Sequence, residues 1–367
     1  MGSNSLRIVH VVRQYHPSCG GLEDVVRNLV LAQKSEGKNV RVVTLDTNFQ
    51  NNEKLDSIAT VDDVPVRRLQ FVGSRRYSIA PSVREHIADA DVVHIHAIDF
   101  FVDYISMLKR LGSLKARLIV STHGGIFHTR SQIWLKKLFF HSVTPFSLSR
   151  VSAVIASSYA DKAMFDPIVR DVTVIENGIR LRKFGAAVRS AERNGFLCLG
   201  RFSENKNLVN LVRWFSAAYR KDNSLHLYIA GRADTGASEK VVAAVRELGS
   251  DAAISVIPDP SDAAICNAIA QSRFVVSAST YEGFGLTVPE LMSYGLVPVL
   301  SNIASFRHFI TRAGFGELFD FNEESFVAAT TQAINAYSSQ QVERAERFAA
   351  LYSWDTVARQ FAAVYDA

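Results

Sequence analysis

From Leu6 to Leu300 the chain alternates short β-branched apolar runs with longer stretches whose apolar residues recur at helical spacing, and it does so twice. The first series is Leu6–Val12, Val40–Leu45, Val64–Val72, Asp91–His96, Ala116–Thr122, Val151–Ser157 and Val172–Ile175. The second is Phe196–Leu199, His226–Ala230, Ile254–Ile257, Arg273–Ser277 and Val297–Leu300. Short apolar runs separated by helical segments make a parallel sheet covered by its own crossover helices. Leu22, Val25, Val26, Leu29 and Val30 form one such helical stripe, which Gly37 closes. Composition breaks over 184–194. The pattern therefore predicts an α/β chain of two Rossmann-like, doubly wound domains, residues 1–184 and 185–345, facing a cleft that takes the ligand. A last amphipathic helix is predicted within 346–367.

Composition narrows the function classes. At 367 residues, 48% hydrophobic and 21% charged, the chain has room for two ordinary cores. Cys19, Cys198 and Cys266 are far apart, so neither a disulfide framework nor a zinc site is expected, and a reducing cytoplasm is. Leu6–Val12 is too short for a secretory signal, and no apolar run reaches the roughly 18 residues of a membrane span. Charge is unevenly divided. Residues 1–184 hold 25 Lys and Arg against 17 Asp and Glu, while 185–367 hold 16 against 19. A basic first half suits an anionic partner: nucleic acid, a phospholipid surface or a phosphorylated acceptor.

Chemistry is expected at the C-terminal ends of the strands, where parallel sheets bind ligands. The most informative stretch is Thr280-Tyr-Glu-Gly-Phe-Gly-Leu-Thr-Val-Pro-Glu290. It follows a strand and leads into a helix, with the turn Phe284-Gly285-Leu286 between two carboxylates, Glu282 and Glu290. Free N–H groups at such a turn favour an anion, and a carboxylate can accept from two neighbouring hydroxyls. A ligand that is part phosphate and part polyol fits, as a nucleotide-sugar does. Arg201 and Lys206 flank another strand-to-helix loop in the same half and suit a diphosphate. In the first half, Gly20-Gly21 opens a helix, and His123 ends a strand before two glycines.

Other signals are weaker. His94 and His96 alternate along one strand and are read as facing opposite sides, which speaks against a shared metal site. Asp89-Ala-Asp91 has the form of a metal-binding DxD but precedes its strand, so no metal site is expected. Trp134–Phe140 is basic and aromatic, suited to an anionic membrane surface. No Ser-His-Asp set, P-loop or pyridoxal lysine stands out.

Taken together, Gly20-Gly21, Thr122-His123-Gly124, Asn177-Gly178, Gly200-Arg201 with Lys206, and Glu282 with Glu290 around Phe284-Gly285 resemble the retaining glycosyltransferases of family 4. The resemblance implies a GT-B fold, a last helix that crosses back to the first domain, and transfer from a nucleotide-sugar with retention, without metal or other cofactor. It implies that Glu290 holds the ribose, Glu282 the hydroxyls of the transferred sugar, and Arg201 and Lys206 the diphosphate. Gly20-Gly21 would cover that diphosphate, and His123 would contact the sugar near the reacting carbon. Within the family, His10–Val26, Ser74–Val83, Ile98–Phe101 and Ser121–Gly125 resemble the GDP-mannose:cellobiosyl-diphosphopolyprenol α-1,3-mannosyltransferases of xanthan and acetan assembly. That implies GDP-mannose as donor, a polyprenyl-diphosphate-linked glycan as acceptor, work at the inner face of the cytoplasmic membrane, and no nucleic acid. Two residues depart from the family's pattern: Asn207 where Gly commonly follows the lysine, and Leu291 where Ala often follows the second Glu. A silent nucleotide-sugar binder and a sugar-nucleotide epimerase are the competing classes. The intact cations disfavour the first, and the paired glutamates the second.

Overall fold

The computed structural model describes residues 6–75, 77–124, 133–187, 195–233 and 236–367, with the backbone alone over 133–137. The chain divides into two compact units, Met1–Gly178 with Trp354–Ala367, and Ile179–Ser353.

In the first unit the strands are Arg7–Val11 (β1), Asn39–Leu45 (β2), Ile58–Val61 (β3), Val64–Leu69 (β4), Val72–Ser74 (β5), Tyr77–Ile79 (β6), Val92–His96 (β7), Arg117–Ser121 (β8), Ala153–Ala156 (β9) and Val172–Val174 (β10). Among the described residues they form a sheet ordered β10-β9-β8-β7-β1-β2-β4-β3, with β5 and β6 as a separate hairpin. Only β3 runs antiparallel to its neighbour in the sheet. Side chains alternate across a strand, so β1 feeds two cores. Val9 and Val11 pack on one face with Val93, Ile95 and Phe101, and Ile8 packs on the other with Val92, Leu29 and Val30. The Trp354–Asp366 helix also covers the second face, through Val357, Ala358, Phe361 and Tyr365.

In the second unit Gly195–Leu199 (β11), His226–Gly231 (β12), Ile254–Pro258 (β13), Ser272–Ser277 (β14), Val297–Ser301 (β15) and Glu317–Phe319 (β16) lie in the order β13-β12-β11-β14-β15-β16, all parallel. Strand order reverses at β11, the position where an open parallel sheet opens a crevice at its strand ends. The core is rich in aromatics: Phe196 stacks on Phe274 with centroids 4.6 Å apart, and Trp214 meets Phe319 and Phe326 edge-on or tilted.

The divisions fall a few residues from those predicted. The first unit ends at Gly178, and the chain rejoins it at Trp354. The Ser339–Ala350 helix is part of the second unit, packed near the Thr287–Met292 helix.

Candidate active site

In the second unit the ends of β11, β12 and β14 and the loops after them meet. Gly231, ending β12, has φ +154°, and a Cβ there would sit 1.7 Å from the Gly200 carbonyl oxygen. Only glycine fits, so the Gly200-Arg201 loop lies directly against the end of β12. That loop runs through a short 3₁₀ turn, Glu204–Lys206, into the Leu208–Lys221 helix. Asn207 joins them with φ 54°, in the left-handed region. Glycine's preference at this place follows, and so does the acceptability of asparagine, whose short polar side chain tolerates that region.

The loop is pinned to the Thr280–Glu290 stretch. The Asn205 carbonyl accepts from the Thr280 amide at 2.8 Å, and Asn205 Nδ2 donates to the Tyr281 carbonyl at 3.2 Å. This registration brings Lys206 to Glu282. Nζ lies 2.6 Å from Oε1, which also accepts from Ser279 Oγ at 2.8 Å. Both charged side chains are largely buried, 17% and 14% exposed. Gly285, at φ +80°, turns the chain where a Cβ would meet Phe306 at 2.7 Å. The Phe284 ring lies 5.1 Å from Tyr352, and Phe284 and Leu286, both half-buried, pack against the core just before the Thr287–Met292 helix.

Glu290 is paired, by a residue that sequence reasoning missed. Lys183 Nζ lies 2.5 Å from Glu290 Oε1. The segment bearing Lys183 is tied down on both sides: Arg182 N donates to Ser293 Oγ at 3.0 Å, and Phe184 N to Tyr294 Oη at 2.8 Å. Burial holds the Glu290 carboxyl above the ordinary glutamate range, while Lys183 and Arg180 pull it back down. Lys183, Gly200, Arg201, Gly231, Arg232, Asp259, Thr287 and Glu290 are among the residues lining a cavity of about 440 Å³. Arg201 is exposed at its mouth and makes no ion pair among the described residues. Lys206, Glu282 and Glu290 are thus held by protein partners, while Arg201 and Arg232 stand open. Arg232 was not singled out in the sequence. Its signal was its place directly after a strand-ending glycine.

In the first unit Gly20 is the extended N-cap of the Gly21–Ser35 helix, and neither glycine has positive φ. His123, at the end of β8, does, at 47°. A bulky non-glycine residue held there is strained. The restraint is Asp161, which was not predicted. Its Oδ2 accepts from Thr122 Oγ1, from Gly124 N at 3.1 Å and from Ser157 N at 3.1 Å. Asp161→Ala leaves these donors without their acceptor, each at a cost of about 1–3 kcal/mol where buried. The melting temperature is expected to fall by on the order of 10 °C, with Asp161→Asn, which keeps an accepting oxygen, losing much less. Equal melting of both variants and the parent in calorimetry would remove the clamp.

The reading of His94 and His96 as facing opposite sides is wrong. Residues two apart on a strand face the same way, and their ring centroids are 4.1 Å apart. His10, opposite His94 in the β1–β7 register, joins them. These three offer nitrogens within 4.8 Å of one another, a spacing that an ion could bridge. Each ring nitrogen is already engaged, however: His10 with His96 and Gln33, His94 with Tyr365 and Ser121, His96 with His10 and His123. Asp91 and Asp89 form ion pairs with Arg7 and Arg41, which accounts for the DxD without a ligand. Of Trp134–Phe140, the side chains through Lys137 lie outside the described residues. Leu138 is exposed and Phe140 buried.

Two parallel-sheet units of this order, with cation-lined strand ends in the second, define a GT-B glycosyltransferase. Comparison with known proteins agrees and extends this. The model of the glycosyl transferases group 1 matches residues 182–350, and that of glycosyltransferase family 4 matches 19–183. An enzyme of Komagataeibacter xylinus named GDP-mannose:cellobiosyl-diphosphopolyprenol alpha-mannosyltransferase is 33% identical over 99% of this chain and 94% of its own. Its namesake in Xanthomonas campestris is 35% identical over 99% and 97%. The crystal structure of Anabaena HepE in complex with UDP superposes with a TM-score of 0.74 at 15% identity, covering 98% of this chain and 100% of that one. The chain belongs to the family 4 glycosyltransferases and is a glycosyltransferase enzyme.

Proposed function

We propose that this enzyme transfers mannose from GDP-mannose, in α-linkage, onto a polyprenyl-diphosphate-linked cellobiosyl glycan during exopolysaccharide or surface-glycan assembly. What carries the reading is the 33–35% identity, over almost the whole chain, to enzymes so named. Glu290 takes the ribose diol, Arg201 and Lys206 take the diphosphate with Arg232 beside them, and Glu282 takes hydroxyls of the transferred sugar. His123 is assigned to that sugar, and Gly20-Gly21 to the diphosphate. Fixed cations then neutralise the charge that grows on the departing diphosphate, with no cofactor or protein-bound metal required. The test is incubation with GDP-mannose, or other nucleotide-sugars, and a polyprenyl-diphosphate cellobioside, read by product mass and anomeric configuration. Transfer is expected from GDP-mannose, as an α-product, and undiminished by excess chelator. A different preferred donor, or loss on chelation with rescue by Mg²⁺ or Mn²⁺, overturns the corresponding part.

The acceptor's lipid implies work at an anionic membrane face, the cytoplasmic side being where nucleotide-sugars are supplied. No described helix is long and apolar enough to cross a membrane. The described surface supports contact by Leu138 of the Trp134–Phe140 stretch together with residues outside it. On and just after the Phe100–Arg110 helix, and on the Ile133–Leu148 helix, Leu111 (69% exposed), Leu138 (60%), Phe146 (59%) and Met107 (46%) stand in solvent. Arg110 lies over the Phe146 ring at 3.8 Å, placing a cation beside the apolar group. Such a mixed apolar and basic face suits an anionic interface. Leu111→Glu with Phe146→Glu is expected to abolish sedimentation with phosphatidylglycerol vesicles while leaving turnover of a short-chain soluble acceptor unchanged. Undiminished sedimentation would place the contact elsewhere.

A further inference from the structure

The sheet face under the Gly21–Ser35 and Trp354–Asp366 helices is apolar at Ile8, Val12 and Val92, and by the alternation of strands the positions between them should match. They are histidines instead: His10, His94 and His96, all fully buried. Burying imidazoles where valine would pack is costly unless every nitrogen is bonded. Here they are bonded in an ordered chain that ends at His123.

The protons of that chain can be counted from one amide. Gln33 donates through Nε2 to Tyr365 Oη at 3.1 Å, so its Oε1, 2.7 Å from His10 Nε2, accepts. His10 Nε2 therefore carries hydrogen. A neutral imidazole has one N–H and one bare nitrogen, so His10 Nδ1 is bare. His96 Nε2, at 2.9 Å, must donate to it. His96 Nδ1 is then bare, and His123 Nε2, at 3.1 Å, donates to it. The remaining nitrogen, His123 Nδ1, is left with a lone pair. A second branch follows the same amide: Tyr365 Oη donates to His94 Nδ1 at 2.7 Å, and His94 Nε2 to Ser121 Oγ at 2.7 Å. Neutrality of the rings is what burial dictates. It pushes His10 and His123 down to about 4, and His94 and His96 well below the ordinary histidine range. His123 itself is half-buried, and no hydrogen bond to its Nδ1 exists among the described residues.

We propose that Gln33, His10 and His96 are positioning residues that lock His123 as its neutral Nε2–H tautomer, so that Nδ1 accepts a hydrogen bond from a hydroxyl of the sugar. Reversing the Gln33 amide would reverse every proton in the chain and turn His123 Nδ1 from acceptor to donor. One side chain at the far end of the network, remote in sequence from His123, thus decides which kind of group His123 can recognise. The sugar as partner rests on the reading of His123 given above, whereas the tautomer does not.

The test uses the full chain with ¹⁵N-labelled histidine. Long-range ¹H–¹⁵N spectra at neutral pH report which ring nitrogen is protonated, and His123→Asn identifies the signal. His123 is expected as the Nε2–H tautomer in the parent, shifting to a tautomer mixture in Gln33→Leu and returning in Gln33→Glu, which keeps an accepting oxygen. Turnover with donor and acceptor saturating is expected to fall about tenfold in Gln33→Leu, the worth of one neutral hydrogen bond, and to recover in Gln33→Glu, with melting temperatures serving to separate this from loss of fold. An Nδ1–H or doubly protonated His123 in the parent, or a tautomer indifferent to Gln33, overturns the proposal. A tautomer that responds while turnover does not removes the sugar from His123 and overturns the proposal in that form. The transferase reading would survive that result, because product formation tests it separately.

Discussion

Lys206→Ala is expected to lower kcat by about 10²- to 10³-fold with a much smaller change in donor KM. When the bond from sugar to diphosphate breaks, negative charge grows on the leaving oxygen. A cation already in place interacts more strongly with that state than with the bound donor, which is the condition for raising kcat. Removing one such preorganised donor costs about this factor. Preorganisation is visible at Lys206. Its Nζ is held 2.6 Å from Glu282, and its stem passes so close to Gly200 that a Cβ there would sit 3.2 Å from Cε. Arg201, by contrast, is exposed and makes no ion pair among the described residues. If it takes the diphosphate as proposed, it is ordered only when the donor arrives. Arg201→Ala is therefore expected to divide its loss between kcat and KM. Lys206→Arg restores part of the rate only, since a planar fork, although it can pair with Glu282, does not replace the compact point charge at the Nζ position. Steady-state kinetics at saturating acceptor decide. A Lys206→Ala enzyme with parental kcat and raised KM would make the lysine a binding clamp.

The strands that set the fold were legible because the sheet is parallel and buried on both faces, so each reads as an unbroken apolar run. The strands missed were those without that signal. β3 is an exposed edge strand, β5 and β6 are three-residue pieces of a hairpin, and β16 is three residues after Gly316. Candidate site residues stood out where a charge lies on the turn after a strand, as Arg201 and Glu282 do, or in the first turn of the helix that follows, as Glu290 does, although Arg232, directly after β12, was passed over. Lys183 and Asp161 were not, because each acts through a partner distant in sequence: Lys183 on Glu290, and Asp161 on the Thr122–Gly124 turn. The histidine network was partly in view. His94, His96 and His123 all drew attention, and a wrong strand parity separated the first two. His10 and Gln33 carried no local signal, since only β1–β7 register and helix packing bring them to the others.

Glu290→Ala is expected to raise donor KM roughly 10²- to 10⁴-fold, because under the proposed ribose contact it removes two hydrogen bonds to a carboxylate worth about 1.5–3 kcal/mol each. The fold should tolerate the change, since Lys183, 31% exposed, can turn its charge to water. The pairing also yields a pH dependence with a defined sign. In the proposed assignment the ribose diol needs the ionised carboxylate as acceptor. Burial holds the Glu290 carboxyl above its ordinary value, so the ionised form is lost earlier as pH falls than it would be in water. Donor capture, read as kcat/KM, should therefore decline on the acid side as pH drops through that raised value. Lys183 opposes the effect of burial by favouring the charged form. Lys183→Met removes that opposition, leaves Arg180 as the weaker counter-charge, and lets the carboxyl rise further. The acid limb of the kcat/KM profile should move to higher pH in Lys183→Met, while donor capture on the alkaline plateau stays closer to the parent's. In Glu290→Gln, which cannot ionise, the limb should vanish and KM should be raised at every pH. An acid limb that stays in place in Lys183→Met, or persists in Glu290→Gln, would assign it to another group and take Glu290 out of the ribose contact.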